Sequence, residues 1–320
     1  MISVFVQRNG ETQRTDRIDP TWLDPASGAT VWMDIAGIGE ADGKILSDVF
    51  HFHPLAVEDA LSVTQFPKIE PYQGYLYVVL HGIDFKASMH QFATRDVDFF
   101  LGPNYLVTVH DGDSRTLAKL RDVCERHERV LAEGPVALMH RIVDQMVDNY
   151  RPTMEALEEQ IDNLEEEAYY GRHNLVRRVL RLKRDLASMR RILIPQRDAV
   201  GRLARREFPA INDEMSYRFR DVYDHVVRLT EEAMLFQDRV TGILEVNLAT
   251  VSNRLNQIMK VLTVLSTIFM PLTLIVGAWG MNVPLPMFPG GEAAQFWWVS
   301  GFMLALSGGM LGFFRWMGWI

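Results

Sequence analysis

The chain has one cysteine, Cys124, so it forms no intrachain disulfide and suits a reducing compartment. Its opening residues, MISVFVQRNGETQR, carry no basic segment followed by a long apolar one, and no secretory signal is expected. Positive charge is not in excess: Lys and Arg number 33 against 41 Asp and Glu, a net charge of −8, so nucleic acid is not an expected partner. Catalytic signatures are missing as well, with no phosphate loop, GxGxxG, GxSxG, HExxH or CxxC. His51 and His53 stand two apart, a spacing that does not share a helical face, and His81, His90 and His110 are scattered. Neither an enzyme nor a resident cofactor is expected.

Three further absences fall in the last part of the chain. Residues 246–291 contain no Asp or Glu, residues 261–314 contain no Lys or Arg, and no proline occurs between Pro209 and Pro271. The uncharged run of 31 residues at 261–291 opens VLTVLSTIFMPLTLIVGAWGMN, and residues 293–314 supply 22 more. A membrane helix needs about 20 mostly apolar residues. Two spans are therefore predicted, 261–282 and 296–314, with an outer loop at 283–295 between them. Arg254 and Lys260 precede the first span and Arg315 follows the second, so both termini, including the tail at 315–320, are expected on the cytoplasmic side of the inner membrane. Trp279, Trp297 and Trp298 mark one interface, and Trp316 and Trp319 the other.

Upstream of the spans, residues 1–134 alternate β-type runs (3–7, 31–35, 75–85, 96–101 and 105–110) with helical stretches (43–52, 54–62 and 115–131). This predicts an α/β cytoplasmic domain, with Asn104 in a hairpin turn after Gly102-Pro103. Residues 135–208 read as a helical hairpin. Its first arm carries Asp144, Asp148, Glu155, Glu158, Glu159, Asp162, Glu165, Glu166 and Glu167 against Arg151 alone; its second is basic, and Gly171 is a plausible stop between them. The two arms should attract each other, although exposed pairs contribute under about 1 kcal/mol each.

A long stalk helix follows, cytoplasmic over 209–260. Met215, Phe219, Val222, Val226, Leu229, Ala233, Phe236, Val240 and Ile243 recur at helical spacing, so a single helix over 211–278 is expected. Such a helix would be about 100 Å long. One small domain does not cover that length, and self-association is the expected way to bury its stripe. Further along, Asn256, Met259, Leu262, Ser266, Met270, Thr273 and Gly277 fall on one face. Polar and small residues on one stripe of a membrane helix either join helices or line a wet path. Asn282 stands just past the span, and symmetry would turn its one amide oxygen into a ring. With no carboxylate nearby, neutral oxygens suit a hydrated cation, and Mg²⁺ gives up its waters reluctantly. Met259, Leu262 and Met270 would form apolar constrictions that close by dewetting.

The runs HPLAVEDAL, KIEPYQGYLYVVL, SYRFRDVYDHV and VSNRLNQIMKVLTVLSTIFMPLT, with GMN ending the first of two C-terminal spans, resemble the CorA family of divalent-cation channels, part of a superfamily with a zinc-transporting branch. The resemblance implies a homopentameric, funnel-shaped channel in the lipid bilayer, with an α/β cytoplasmic domain, a long-helix stalk and two C-terminal transmembrane helices. It implies that Gly280, Met281 and Asn282 form the selectivity filter and that Asn256, Met259, Leu262, Ser266, Met270 and Thr273 line the pore below. Regulatory metal ligands would be Asp59 and Asp221, with Glu58 nearby and Asp144 a further one. Divalent cations, Mg²⁺ foremost and also Co²⁺ or Ni²⁺, would be both cargo and regulatory ligand.

The chain also departs from the family pattern. Trp279 replaces a tyrosine before GMN, the outer loop has Glu292 as its one acid, and the tail has Arg315 in place of a lysine cluster. The zinc branch commonly has GIN where Met281 stands here, which favours magnesium over zinc. The alternative of another class is a membrane-anchored coiled-coil scaffold.

Overall fold

In the computed structural model the chain forms two compact units, one of residues 1–167 and 172–244, the other of residues 168–171 and 245–320. The structure describes residues 1–37, 39–62, 66–83, 92–112, 114–126, 129–170, 174–281 and 291–319.

The first unit is built on a seven-stranded sheet of β1 (Ile2–Arg8), β2 (Glu11–Thr15), β3 (Thr30–Ala36), β4 (Lys68–Tyr72), β5 (Tyr75–Ile83), β6 (Thr94–Leu101) and β7 (Tyr105–His110), in the order β2-β1-β3-β7-β6-β5-β4. Neighbours are antiparallel except β3 and β7, which run parallel with Val31 opposite Tyr105. The sheet confirms the α/β class and adds two strands, β2 and β4, that the apolar pattern does not show. Both are edges. ETQRT is exposed and polar, and KIEPY contains Pro71, which an edge strand tolerates because one side of it needs no donor.

Successive side chains alternate between faces, and in the central strands both faces are buried. One face, with Val4, Val31, Met33, Ile35, Tyr77, Phe100, Val107 and Val109, forms a core with Leu46 of α1 (Glu40–Asp48) and with Ala56, Val57 and Ala60 of α2 (Pro54–Leu61). Phe52, between the two helices, stacks on Phe100 at 4.2 Å between ring centroids and approaches Tyr75 at 4.6 Å. The other face carries Phe5, stacked on Trp32 at 5.2 Å, and a buried polar chain. Trp32 Nε1 donates to Thr108 Oγ1 (3.1 Å), Thr108 donates to Asp34 Oδ1 (2.6 Å), and Arg121 donates to Asp34 Oδ2 (2.9 Å). Arg121 comes from α3 (Arg115–Arg126), which is followed by α4 (Arg129–Ala132) and α5 (Pro135–Asp148). α5 lies against β5, β6 and β7. Cys124 is buried in α3, and burial pushes its thiol up to about 12.

The β6–β7 turn fixes a distant loop. Asn104 is buried, and its Nδ2 donates to the carbonyls of Trp22 (2.8 Å) and Ala29 (2.9 Å). Gly102 is required beside it, because a Cβ there would fall 2.2 Å from Tyr105 Cζ.

The remaining helices are α6 (Arg151–Tyr170), α7 (Leu175–Ala204), α8 (Asp213–Trp279) and α9 (Gly291–Trp316). The acidic run therefore begins on α5, with Asp144 and Asp148, before α6 starts. Attraction between the oppositely charged arms is present but partial. Glu167 pairs with Arg178 at 2.6 Å, whereas Asp162 and Glu165 turn to Arg239 of α8, at 2.5 and 2.9 Å. The expectation about the stalk stripe is corrected more sharply. All nine residues from Met215 to Ile243 are buried within one chain, where α6 and α7 bury matching rows such as Leu157, Ile161, Leu164 and Leu182, Leu186, Met189. Self-association is not needed to cover them. Each such side chain contributes about 1.5–3 kcal/mol on burial, more than the ion pairs at its rim.

Two predictions follow from this unit. Phe52→Ala removes the ring that joins the helices to the sheet and should cost about 3–5 kcal/mol in denaturant unfolding. Asp98 is buried and accepts a hydrogen bond from the Tyr77 hydroxyl; burial first, and then the Asp96 charge, raises its carboxyl to about 8. The folded chain then holds a proton that the unfolded chain, with a carboxyl near 3.8, has released. Stability should fall as pH rises from about 4 to about 8 and flatten above. Asp98→Asn should remove that slope in melting temperatures measured across this window.

Candidate functional site

Among the described residues two helices are long and apolar enough to cross a membrane, α8 and the stretch Ala294–Trp316 within α9. In the second unit each helix has one covered row and is otherwise largely exposed. On α8, Val264 is buried and Ile268, Pro271, Ile275 and Ala278 are half-buried, while Asn256, Met259, Leu262, Ser266, Met270, Thr273 and Gly277 are exposed. At 3.6 residues per turn these two rows lie on opposite sides of the helix. α9 has a matching covered row in Val299, Met303, Leu306, Met310 and Phe314. Trp319 beyond its end meets the start of the apolar part of α8, with Lys260 Nζ 6.0 Å from the ring centroid. The single chain thus covers one row of α8 and leaves the rest of its circumference, the predicted pore-lining side included, bare.

Hydroxyls in this region are satisfied locally. Thr263, Thr267 and Thr273 each donate to the carbonyl four residues back, at 2.7, 2.7 and 2.8 Å. A hydroxyl in apolar surroundings needs such a partner, and Thr273 Oγ1 keeps its acceptor capacity on the bare face. Met259 and Met270 are 61% and 78% exposed, the largest apolar side chains of that row. α8 winds to Trp279, after which Gly280 N donates to Val276 O at 2.9 Å. A Cβ on Gly280 would stand 3.1 Å from that same oxygen, which suits glycine at this end. Met281 is exposed, and Asn282 lies outside the described residues. Within one chain, Gly301, Gly308, Gly309 and Gly312 of α9 face open space, with nothing within 4 Å of a Cβ at any of them.

The predicted regulatory acids fall in two places in the first unit. Asp59, on the last turn of α2, is paired with Lys68, and Glu58 beside it is exposed. Asp144 on α5 is half-buried, and one ligand atom each from Asp144, Asp148 and His225 lies within 4.8 Å of the others. It is the one such group of three among the described residues. Burial, then the Asp148 charge, raises the Asp144 carboxyl, and Asp221 adds to the same repulsion. Burial lowers the nearby His140. Asp148 and His225 also line a cavity of about 600 Å³ with Glu155, Glu158, Glu232, Arg151 and Arg228. Neither Asp148 nor His225 stands out as a ligand in the sequence. The signal that finds them is spacing: Asp148 is four residues after Asp144, and His225 four after Asp221, so each pair shares a helical face. Oxygen ligands with one imidazole form a set that takes a divalent cation.

The histidines form no catalytic centre among the described residues. His53 Nδ1 accepts from Leu55 N at 3.2 Å, capping α2, and His110 Nε2 lies 3.3 Å from Asp34 Oδ1 in the buried polar chain. His90 lies outside the described residues.

Known proteins resemble this chain along nearly its whole length. A family profile described as CorA-like Mg²⁺ transporter protein matches residues 27–315. YfjQ of Bacillus subtilis, a candidate metal ion transporter, is 34% identical over 316 residues, 98% of this chain and 94% of that protein. The cobalt/magnesium transport protein CorA of Thermotoga maritima is 34% identical over 259 residues, 80% of this chain and 74% of that protein. Among solved structures, the complete CorA magnesium transporter of Methanocaldococcus jannaschii has the same fold, with a TM-score of 0.85 at 21% identity over 100% of this chain and 99% of that one. The α/β sheet, the unbroken helix α8 and the apolar α9 are thus the parts of a known architecture, and the chain belongs to the family of CorA-like Mg²⁺ transporter proteins.

Proposed function

We propose that this protein is a divalent-cation channel of the inner membrane, moving chiefly Mg²⁺ and also Co²⁺ or Ni²⁺, with copies of α8 lining a central path in a homopentamer. The observation that carries the reading is the two-sided α8: one side is covered by its own chain, and the other, acid-free and bearing Asn256, Ser266 and Thr273, is bare. A bare polar row on a lipid-embedded helix is costly unless other copies enclose it around water. Neutral oxygens along such a path suit a cation that keeps its hydration shell. In this arrangement Gly280, Met281 and Asn282 form the outer filter, Met259, Leu262 and Met270 narrow the path, and both termini face the cytoplasm.

Regulation is assigned to the first unit. Asp59 and Glu58 form one candidate cation site. Asp144 and Asp221, joined here by Asp148 and His225, form another. Burial first, and then the Asp148 charge, raises the Asp144 carboxyl, and a bound divalent cation would relieve the repulsive part. Metal that binds one arrangement of these acids better than another shifts the channel toward that arrangement, so high internal Mg²⁺ favours closure.

Reconstituted protein should pass Mg²⁺ into liposomes, and Asn282→Ala should lower the flux by about tenfold or more and alter the ranking of Mg²⁺, Co²⁺, Ni²⁺ and Zn²⁺, as expected when a filter group is removed. A variant that kept both rate and ranking would refute the filter assignment. Asp221→Ala should keep conducting at internal Mg²⁺ concentrations that close the parent channel; unchanged closure would remove Asp221 from the regulatory set.

A further inference from the structure

Asp59 is not a bare carboxylate. At the start of β4, the Lys68 ammonium contacts Asp59 Oδ2 and stands 3.1 Å from Glu70 Oε1. The Lys68 and Asp59 side chains are only 27% and 28% exposed, so water screens the pair incompletely. Lys68 Nζ also lies 5.4 Å from the centroid of the Tyr77 ring. Glu70 is held in turn, its Oε2 accepting from the Tyr72 hydroxyl at 3.0 Å. One lysine is therefore flanked by two carboxylates, one of them the proposed metal ligand.

We propose that Lys68 is a built-in competitor for the cation at Asp59, a positioning residue that sets the metal concentration being sensed, with Glu70 as its alternative seat. The inference rests on the reading of Asp59 as a regulatory ligand. Lysine suits the task because its ammonium is a compact charge on a flexible stem, free to exchange one carboxylate for another. A divalent cation reaching Asp59 meets that charge or must first displace it onto Glu70. Its apparent affinity falls by the fraction of time that Asp59 is already occupied. Glu70 and the Tyr77 face keep the displaced ammonium nearby, so departure of the metal restores the original pair.

The two flanking groups act with opposite sign, which a merely structural role would not reproduce. Removing the ammonium strengthens metal binding, whereas removing its alternative seat holds it on Asp59 and weakens metal binding. The test uses full-length protein in liposomes, with Mg²⁺ flux read against graded internal Mg²⁺. Lys68→Met should lower the half-inhibitory concentration about tenfold, equivalent to about 1.4 kcal/mol. Glu70→Gln should raise it, and Lys68→Arg, which keeps the charge, should leave it at or above the parent value. An unmoved threshold in Lys68→Met, or a shift of both Lys68→Met and Glu70→Gln in one direction, overturns the proposal. Asp59→Asn separates the two readings. If it keeps the parent threshold, Asp59 is no ligand and both readings fall. If it abolishes inhibition while Lys68→Met changes nothing, competition alone is lost. Should Lys68→Met fail to assemble, Lys68→Gln against Glu70→Gln gives the same contrast.

Discussion

Burial of one row of α8, from Met215 to Ile243, is the interaction on which the rest of the first unit depends. Those residues fix the rotation of the helix within the first unit, because only one face of it fits against the apolar rows of α6 and α7. That rotation is a packing decision made within the first unit, among α6, α7 and α8. The ion pairs of Arg239 with Asp162 and Glu165 refine that decision, while the buried apolar row supplies most of its energy.

The same division of labour appears in the sheet. Its centre is insulated on both faces, so it tolerates polar groups only where they complete one another. The chain from Trp32 through Thr108 and Asp34 to Arg121 does so with each donor matched to an acceptor. Asp98 is held in another way, a carboxyl kept neutral by burial and accepting from the Tyr77 hydroxyl. The carboxylates proposed to answer to cations sit elsewhere, on α2, α5 and α8, half-buried or exposed instead of enclosed. Core and sensor are thus separated by dielectric environment within one unit.

Much of this was legible in the residues themselves. The spans, the long helix and the central strands carry strong periodicity, because burial of one face imposes it. β2 and β4 were not legible, since an edge strand is held by hydrogen bonds on one side and needs no apolar alternation. The covering of the α8 row was misjudged for a related reason: sequence shows that a stripe must be buried but not which partner buries it. Asp144 and Asp221 came from resemblance, whereas Asp148 and His225 emerged only when α5 and α8 met in space, although the four-residue spacing was present all along. The pairing of Asp59 with Lys68 joins residues nine apart across a helix and a strand, a separation for which no periodic pattern exists.

Cys124 has a practical consequence. It is the sole thiol of the chain, it is 2% exposed, and burial pushes it up to about 12, so it is almost wholly protonated near neutral pH. Thiol reagents attack the thiolate, and the native chain therefore presents them with almost nothing to modify. A cysteine introduced at any position along the bare side of α8 would be the dominant reactive group in the molecule. The protein is by construction a quiet background for chemical labelling, and spin labels, fluorophores or crosslinkers can be placed along the proposed path without first removing a native residue.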